Sequence, residues 1–196
     1  MTSPRRPVGR PRSAAKDAAI LTAGLQLLSH DGYARMSMDA VAAAAGVSKQ
    51  TLYARYAGKA ELVAAAIAAL DQDAVPEVSG DLRTDLLTEL DQLRDLFDRV
   101  DGTGILAACL AERRHTPELL VQLREHTLLP RRARIAAVLN TAKERQEIDE
   151  RTEPQTVVSM LLGSLYADLV AGRPVTNATL AAAVDHLLTG LKPQRP

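Results

Sequence analysis

Met38-Asp39-Ala40-Val41-Ala42-Ala43-Ala44-Ala45-Gly46-Val47-Ser48-Lys49-Gln50-Thr51-Leu52-Tyr53-Ala54-Arg55-Tyr56 holds two short helical patterns parted by a single glycine. Ser37 suits the N-cap of a short helix from Met38 to about Ala45, because its hydroxyl can accept a free N–H of the first turn. Gly46-Val47 breaks that helix, and Gly46 fits the position past a helix end where φ > 0 is common. Ser48 caps a second helix that runs to about Tyr56. Two short helices joined by a Gly-containing turn make a helix-turn-helix. The small Ala residues let the second helix cross closely, and Val41, Val47 and Leu52 supply the shared apolar contact. Lys49, Gln50, Thr51, Tyr53 and Arg55 are left with polar ends on or near the outer face of the second helix. A helix of that kind is narrow enough to enter the major groove of DNA.

Upstream, Ala19, Leu21, Leu25 and Leu28 mark a helix that opens at Ser13 and closes at Asp31-Gly32. Residues 1–12 hold four Arg, three Pro and no acid, a composition that cannot bury a core. Downstream, Lys59 to about Asp73 reads as a fourth helix, and Val75-Pro76-Glu77-Val78-Ser79-Gly80 as a linker. Asp81–Arg99 places Leu82, Leu86, Leu90, Leu93 and Phe97 on one helical stripe, which Asp101-Gly102-Thr103-Gly104 closes. Further helices follow over Ile105–Arg114, from Thr116-Pro117 to about Glu147, over Thr152–Val170 and over Asn177–Leu191. Pro130 should kink or break the long one. The expectation is an all-α chain of about nine helices: a basic arm at 1–12, a helix-turn-helix domain at 13–75 and a second helical domain at 81–196.

Composition agrees. The 196 residues include 33 Ala and 29 Leu, while aromatics are 3% and Trp is absent. Good helix formers dominate and strand formers are scarce, which argues against an all-β or Rossmann-type fold. Net charge is zero, but residues 1–62 carry nine Lys/Arg against four Asp/Glu, and residues 63–196 carry fifteen against twenty. A basic front suits a polyanionic partner. The one cysteine, Cys109, cannot close an internal disulfide. Neither a membrane span nor a secretory signal is evident, so a cytoplasmic location is expected.

Ala45-Gly46-Val47-Ser48-Lys49-Gln50-Thr51-Leu52-Tyr53, followed by Tyr56 and Lys59-Ala60-Glu61-Leu62, resembles the DNA-binding domain of the TetR (tetracycline-repressor) family. The helix ending in Gly32-Tyr33 and the placement of Ser37 are similar to the family's entry into the motif, and the likeness covers roughly residues 14–70. Two departures stand out: Tyr56 replaces a usual Phe, and Ala57-Gly58 lacks a common positive charge and a helix cap. The resemblance implies double-stranded DNA as partner and places Ser37, Ser48, Lys49, Gln50, Thr51, Tyr53 and Lys59 toward it. Within that set, Lys59, the Tyr53 hydroxyl and the helix N-termini at Ser37 and Ser48 suit phosphates, whereas Gln50 and Lys49 can reach base edges. Val8-Gly9-Arg10-Pro11-Arg12 resembles a minor-groove arm, with Arg10 as its reader; a solvated basic tail giving only nonspecific attraction is the alternative.

The rear half, Leu161-Leu162-Gly163-Ser164-Leu165-Tyr166 followed by Gly172-Arg173-Pro174-Val175-Thr176, resembles a ligand-binding, dimerising domain of the same family. A homodimer is expected through Leu161, Leu165 and Leu169 of one helix and Val184, Leu187 and Leu188 of another, with Gly163 and Ala167 permitting close approach. Phe97, Cys109, Met160 and Tyr166 are the candidate liners of a pocket for a small apolar or amphipathic ligand. Arg113, Arg114 and His115 could hold an acidic group, although a solvated helix end explains them as well. Gly102-Thr103-Gly104 and Gly163-Ser164 lack the context of a dinucleotide loop or a hydrolase elbow. The four histidines are dispersed, so no catalytic set, metal site or cofactor is expected. The reading is a DNA-binding transcriptional regulator, expected to be a ligand-responsive repressor that binds a palindromic operator as a dimer; a ligand-independent DNA-organising protein is the alternative.

Overall fold

Two serines start the two short helices of the front half. Ser37 Oγ accepts the N–H of Ala40 at 3.2 Å, and Ser48 Oγ accepts that of Thr51 at 3.1 Å. The computed structural model describes residues 14–70 and 75–191. The basic arm, Arg10 included, lies outside the described residues.

The front half comprises α1 (Ala14–Asp31), α2 (Met38–Ala44), α3 (Lys49–Tyr53) and α4 (Lys59–Ala68). Gly32 and Gly46 end α1 and the α2 turn at φ of 76° and 63°, where a Cβ would strain the backbone. Val41 and Leu52 are fully buried together with Ile20, Leu28, Leu62 and Ile67, so α2 and α3 dock on a floor made by α1 and α4.

The rear half comprises α5 (Leu82–Val100), α6 (Gly102–Ala111), a 3-10 turn at Glu112–Arg114, α7 (Pro117–Leu123), a π turn at Arg124–Leu128, α8 (Leu129–Glu144), α9 (Pro154–Val170) and α10 (Asn177–Gly190). Backbone conformation stays helical from α7 through the π turn into α8. Counted as one interrupted helix, that run brings the described residues to nine helices, with no strand among them. Pro130 thus neither breaks the chain nor leaves the ladder regular. Lacking an N–H, it sits in the first turn of α8, and the widened turn immediately precedes it.

Two points differ from the sequence expectation. Gly102 and Gly104 belong to the first turn of α6 rather than to a connection, because Asp101 adopts φ 50° and its carboxylate accepts the N–H of Gly104 at 3.1 Å. One residue therefore ends α5 and caps α6. The stretch after Val75 is also tied down: buried Asp85 accepts from the N–H and hydroxyl of Ser79, at 2.7 and 2.6 Å, and from the N–H of Gly80 at 3.2 Å.

The apolar interior does not divide at that connection. One core joins α1–α4 to Leu96, Ile105, Ala108, Cys109, Leu119, Leu120 and Leu123, so α6 and α7 pack as much on the front half as on the rear. A second core joins α5, α8, α9 and α10. Leu161, Leu165 and Val184 are buried in it, and Leu169, Leu187 and Leu188 pack half-buried against it. Leu161, Leu165 and Val184 thus face their own chain, whereas Leu169, Leu187 and Leu188 keep part of their surface exposed. The exposed face of α9 is a different stripe, Thr156, Met160, Gly163, Ala167 and Val170, at alternating spacings of four and three. Among the described residues no helix is long and apolar enough to cross a membrane.

Candidate nucleic-acid interface and interior cavity

Ser37, Ser48, Lys49, Gln50 and Tyr53 are exposed, and Thr51 and Lys59 are half-buried. Tyr53 exposes 51% of its surface although it is the last residue of α3, whose Leu52 is fully buried. An aromatic ring left in water beside a packed leucine is available to a partner. Ser48 Oγ also lies 2.8 Å from Thr51 Oγ1, so Thr51 helps hold the α3 cap. Lys49 bridges to Asp39 of α2 at 2.6 Å, both side chains being more than half exposed. Such surface pairs contribute little, so the Lys49 ammonium can exchange its partner for a phosphate or a base.

Two basic groups of the motif are committed inward. Arg55 forms an ion pair with Asp17 of α1 through Nε and donates from Nη1 to the carbonyl of Thr51 at 3.0 Å, which clamps the end of α3 to α1. Lys59 donates to the carbonyl of Tyr33 at 2.6 Å and stands 4.2 Å from the centroid of that ring. Its ammonium is therefore held at the start of α4, positioned rather than free-swinging. Gly58 caps α4 without a side chain, as the departure at Ala57-Gly58 implies, and the Glu61 carboxylate instead accepts the N–H of Ala57 at 2.7 Å. The surface left outermost is the N-terminal turn of α3 with Tyr53 at its far end. That is the shape of a helix offered to a groove.

The rear half contains a cavity of about 210 Å³ between α5, the π turn, α8 and α9. Leu93, Leu128 and Leu162 supply its apolar walls; Thr127, Arg131, Arg132, Ser159 and Tyr166 supply polar atoms. A narrow apolar crevice of about 20 Å³ shares Thr127, Leu128 and Tyr166 with it and continues along Phe97, Ile105 and Leu106 to Leu70, just beyond α4. The Phe97 and Tyr166 rings meet at 5.6 Å between centroids, tilted by 56°. Burial pushes the Tyr166 hydroxyl above the usual tyrosine range, while Arg131 and Arg132 pull it down.

Of the four residues expected at a pocket, Tyr166 lines the cavity and Phe97 the crevice. Cys109 is fully buried in the front core, where desolvation raises its thiol to about 11. Met160 is 57% exposed on the outer face of α9. Arg113, Arg114 and His115 are exposed at the end of α6. Sequence reasoning passed over Thr127, Arg131 and Arg132. The available signal was Glu89, an acid at core spacing among Leu86, Leu90 and Leu93, since a buried carboxylate demands a buried cation. Two cations answer it: Arg134 Nε donates to the carboxylate at 2.8 Å, and buried Arg131 places Nη1 3.4 Å from it while donating to the Glu89 backbone carbonyl at 2.8 Å.

Comparison with known proteins agrees with this geometry. Residues 20–66 match the family described as bacterial regulatory proteins of the tetR family, and residues 76–187 match the tetracyclin repressor-like C-terminal domain. An HTH-type transcriptional regulator of Mycobacterium tuberculosis is 36% identical over 177 residues, covering 88% of this chain and 86% of the relative. The DNA-binding transcriptional repressor TetR of Mycobacteroides abscessus is 34% identical over 179 residues, covering 90% and 94%. Among solved structures, the flavonoid-responsive regulator FrrA superposes with a TM-score of 0.68 at 26% identity, over 93% of this chain and all of that one. A TetR family transcription regulator, SCO0332, superposes with a TM-score of 0.63 at 30% identity, over 91% and 99%. With a helix-turn-helix presenting α3 outward and both halves matched, the chain belongs to the TetR family of DNA-binding transcriptional regulators.

Proposed function

We propose that this regulator is a repressor that binds a palindromic operator as a homodimer and leaves it when a small molecule enters the rear cavity. The observation that carries the reading is a shared wall. Thr127, Leu128 and Tyr166 border both the cavity and the crevice, and the crevice reaches Leu70 beyond α4, the helix that begins at Lys59 beside the proposed DNA-facing surface. A ligand that differs in affinity between two placements of α4 shifts their populations, and only such a ligand can.

A second subunit is needed because one short recognition helix reads too few base pairs. The exposed stripe Thr156, Met160, Gly163, Ala167 and Val170 on α9 is uncharged and small at its centre, which suits close packing against its own copy. Two recognition helices then meet successive major grooves on one face, about 34–36 Å apart, and a change in that separation ends simultaneous docking. The names of relatives support the direction of control: one is a repressor, and FrrA is flavonoid-responsive.

The test is selection of bound fragments from genomic DNA, followed by a metabolite panel scored for release. Recovery of an inverted repeat released by a subset of compounds supports the reading. Uniform binding to all fragments with no releasing compound favours the DNA-organising alternative.

A further inference from the structure

Two guanidiniums line the rear cavity, Arg131 and Arg132, and no carboxylate does. Arg131 is 2% exposed. The Glu89 carboxylate beside it is shared with Arg134, whose Nε donates to Oε1 at 2.8 Å, and Glu89 lies behind the wall rather than on it. Arg132 is half-buried and donates from Nη2 to Ser159 Oγ at 3.0 Å and to Gln155 Oε1 at 3.1 Å.

At the same wall stands Thr127, 3% exposed, whose hydroxyl makes no hydrogen bond. Buried hydroxyls are nearly always paired, because an unpaired one forfeits its hydration for nothing. The residue sits in the π turn, a local irregularity often found at functional sites. Purely structural duties account for Arg131, which holds Glu89, and for Arg132, which ties α8 to α9. They do not account for Thr127. A donor buried without a partner, on a residue that lines both the cavity and the crevice and stands beside two cations, is explained by an acceptor that arrives from the cavity.

We propose that this cavity takes an amphipathic monoanion, its acidic group held by Arg132, Arg131 and the Thr127 hydroxyl and its apolar body laid against Leu93, Leu128 and Leu162. The assignment rests on the ligand-responsive reading above and narrows its ligand class. The cavity, about 210 Å³, opens to the surface beside exposed Ser159 and Gly163, so a ring system or a medium-length chain can lie partly within it. Because Arg131 also holds Glu89 of α5, an anion placed there acts on the contact between α5 and α8.

The experiment uses the full chain and two fluorescent probes that differ by one charge: 8-anilinonaphthalene-1-sulfonate and N-phenyl-1-naphthylamine, the same rings without the sulfonate. Titration should give one sulfonate site per chain, bound at least about tenfold more tightly than the neutral probe. Decanoate should displace it and decan-1-ol should not. Thr127→Val and Arg132→Gln should each weaken the sulfonate by about 10–100-fold and leave the neutral probe unchanged. Thr127→Val should also raise Tm, since it removes an unpaired hydroxyl at constant shape, and that rise shows that the variant folds.

Equal affinity for both probes, binding of neither, or sulfonate binding that both variants leave intact overturns the anion assignment. Operator release is scored in parallel. Release by the neutral probe alone overturns the anion and keeps ligand control. Variant-sensitive sulfonate binding without release supports the anion site and overturns the regulatory reading.

Discussion

Gly104 of α6 lies so close to Ser29 of α1 that a β-carbon on it would stand 2.9 Å from both the Ser29 carbonyl oxygen and its Cβ. The two helices belong to different halves of the chain and cross where Gly104 leaves no room for a side chain. A β-carbon there would also meet the Asp101 carboxylate that caps α6, and on the α1 side the obstacle includes backbone, so the neighbour cannot simply rotate aside. Gly104→Val should therefore push α6 off α1 and cost about 1–3 kcal/mol by overpacking. Thermal unfolding and operator titration check it. A variant with wild-type Tm and wild-type DNA affinity would show that the crossing tolerates separation.

Arg55 and Asp17 supply a second tie, from the end of α3 back to α1. Both are substantially sheltered, with side-chain exposures of 14% and 32%, so the pair should act as a positioning clamp for the recognition helix. Each single Ala substitution should lower operator affinity, and the double variant should be little worse than either. A double-mutant cycle on stability should give coupling of about 1 kcal/mol. Additive losses would mean that the two side chains act separately.

These two ties mark how far the sequence could be read. The helix-turn-helix was legible because its signals are local: Ser37 and Ser48 cap within three residues, and Gly46 adopts the left-handed conformation that its place demands. Long-range partners were not legible. Arg55 has the composition of a groove-facing residue and turns inward only because Asp17 waits 38 positions earlier. Arg131 sits in an Arg-rich run that reads as a solvated face, yet Glu89, 42 positions away, buries it. On α9 the difficulty is different. Leucines mark one face and small residues the other, and periodicity alone does not say which of two nonpolar faces meets its own core.

The dimer prediction follows from the face left outside. Gly163 has nothing within 4 Å of where a β-carbon would stand, and Met160 and Val170 on the same stripe are 57% and 82% exposed. Gly163→Glu places a charge at the centre of the proposed contact and should yield monomers, with the fold intact by circular dichroism. Gly163→Ala should remain dimeric. Sedimentation velocity at micromolar concentration distinguishes them, and a dimer that survives Gly163→Glu places the interface elsewhere.

Cys109 offers a pH prediction. Its buried thiol is raised to about 11, so at pH 8 roughly one thiol in a thousand is ionised, against a few tenths for a free cysteine near 8.5. Native protein should resist iodoacetamide at pH 8, and the unfolded chain should react promptly. Because the folded value lies above the unfolded one, this thiol's contribution to stability is present below about pH 9 and is lost as pH rises toward 11. Cys109→Ala should flatten that part of the stability profile. Rapid native alkylation would contradict the burial.

We propose that α3 reads DNA, with Gln50 on base edges and Tyr53 on the backbone. Titration of wild type, Gln50→Ala and Tyr53→Ala against the selected operator and a set of single-base-pair variants at fixed salt decides it. Tyr53→Ala should weaken every site by a similar factor. Gln50→Ala should instead lose discrimination at one or two base pairs per half-site, worth about 1–3 kcal/mol each. Unchanged affinities and an unchanged base preference for both variants would contradict it.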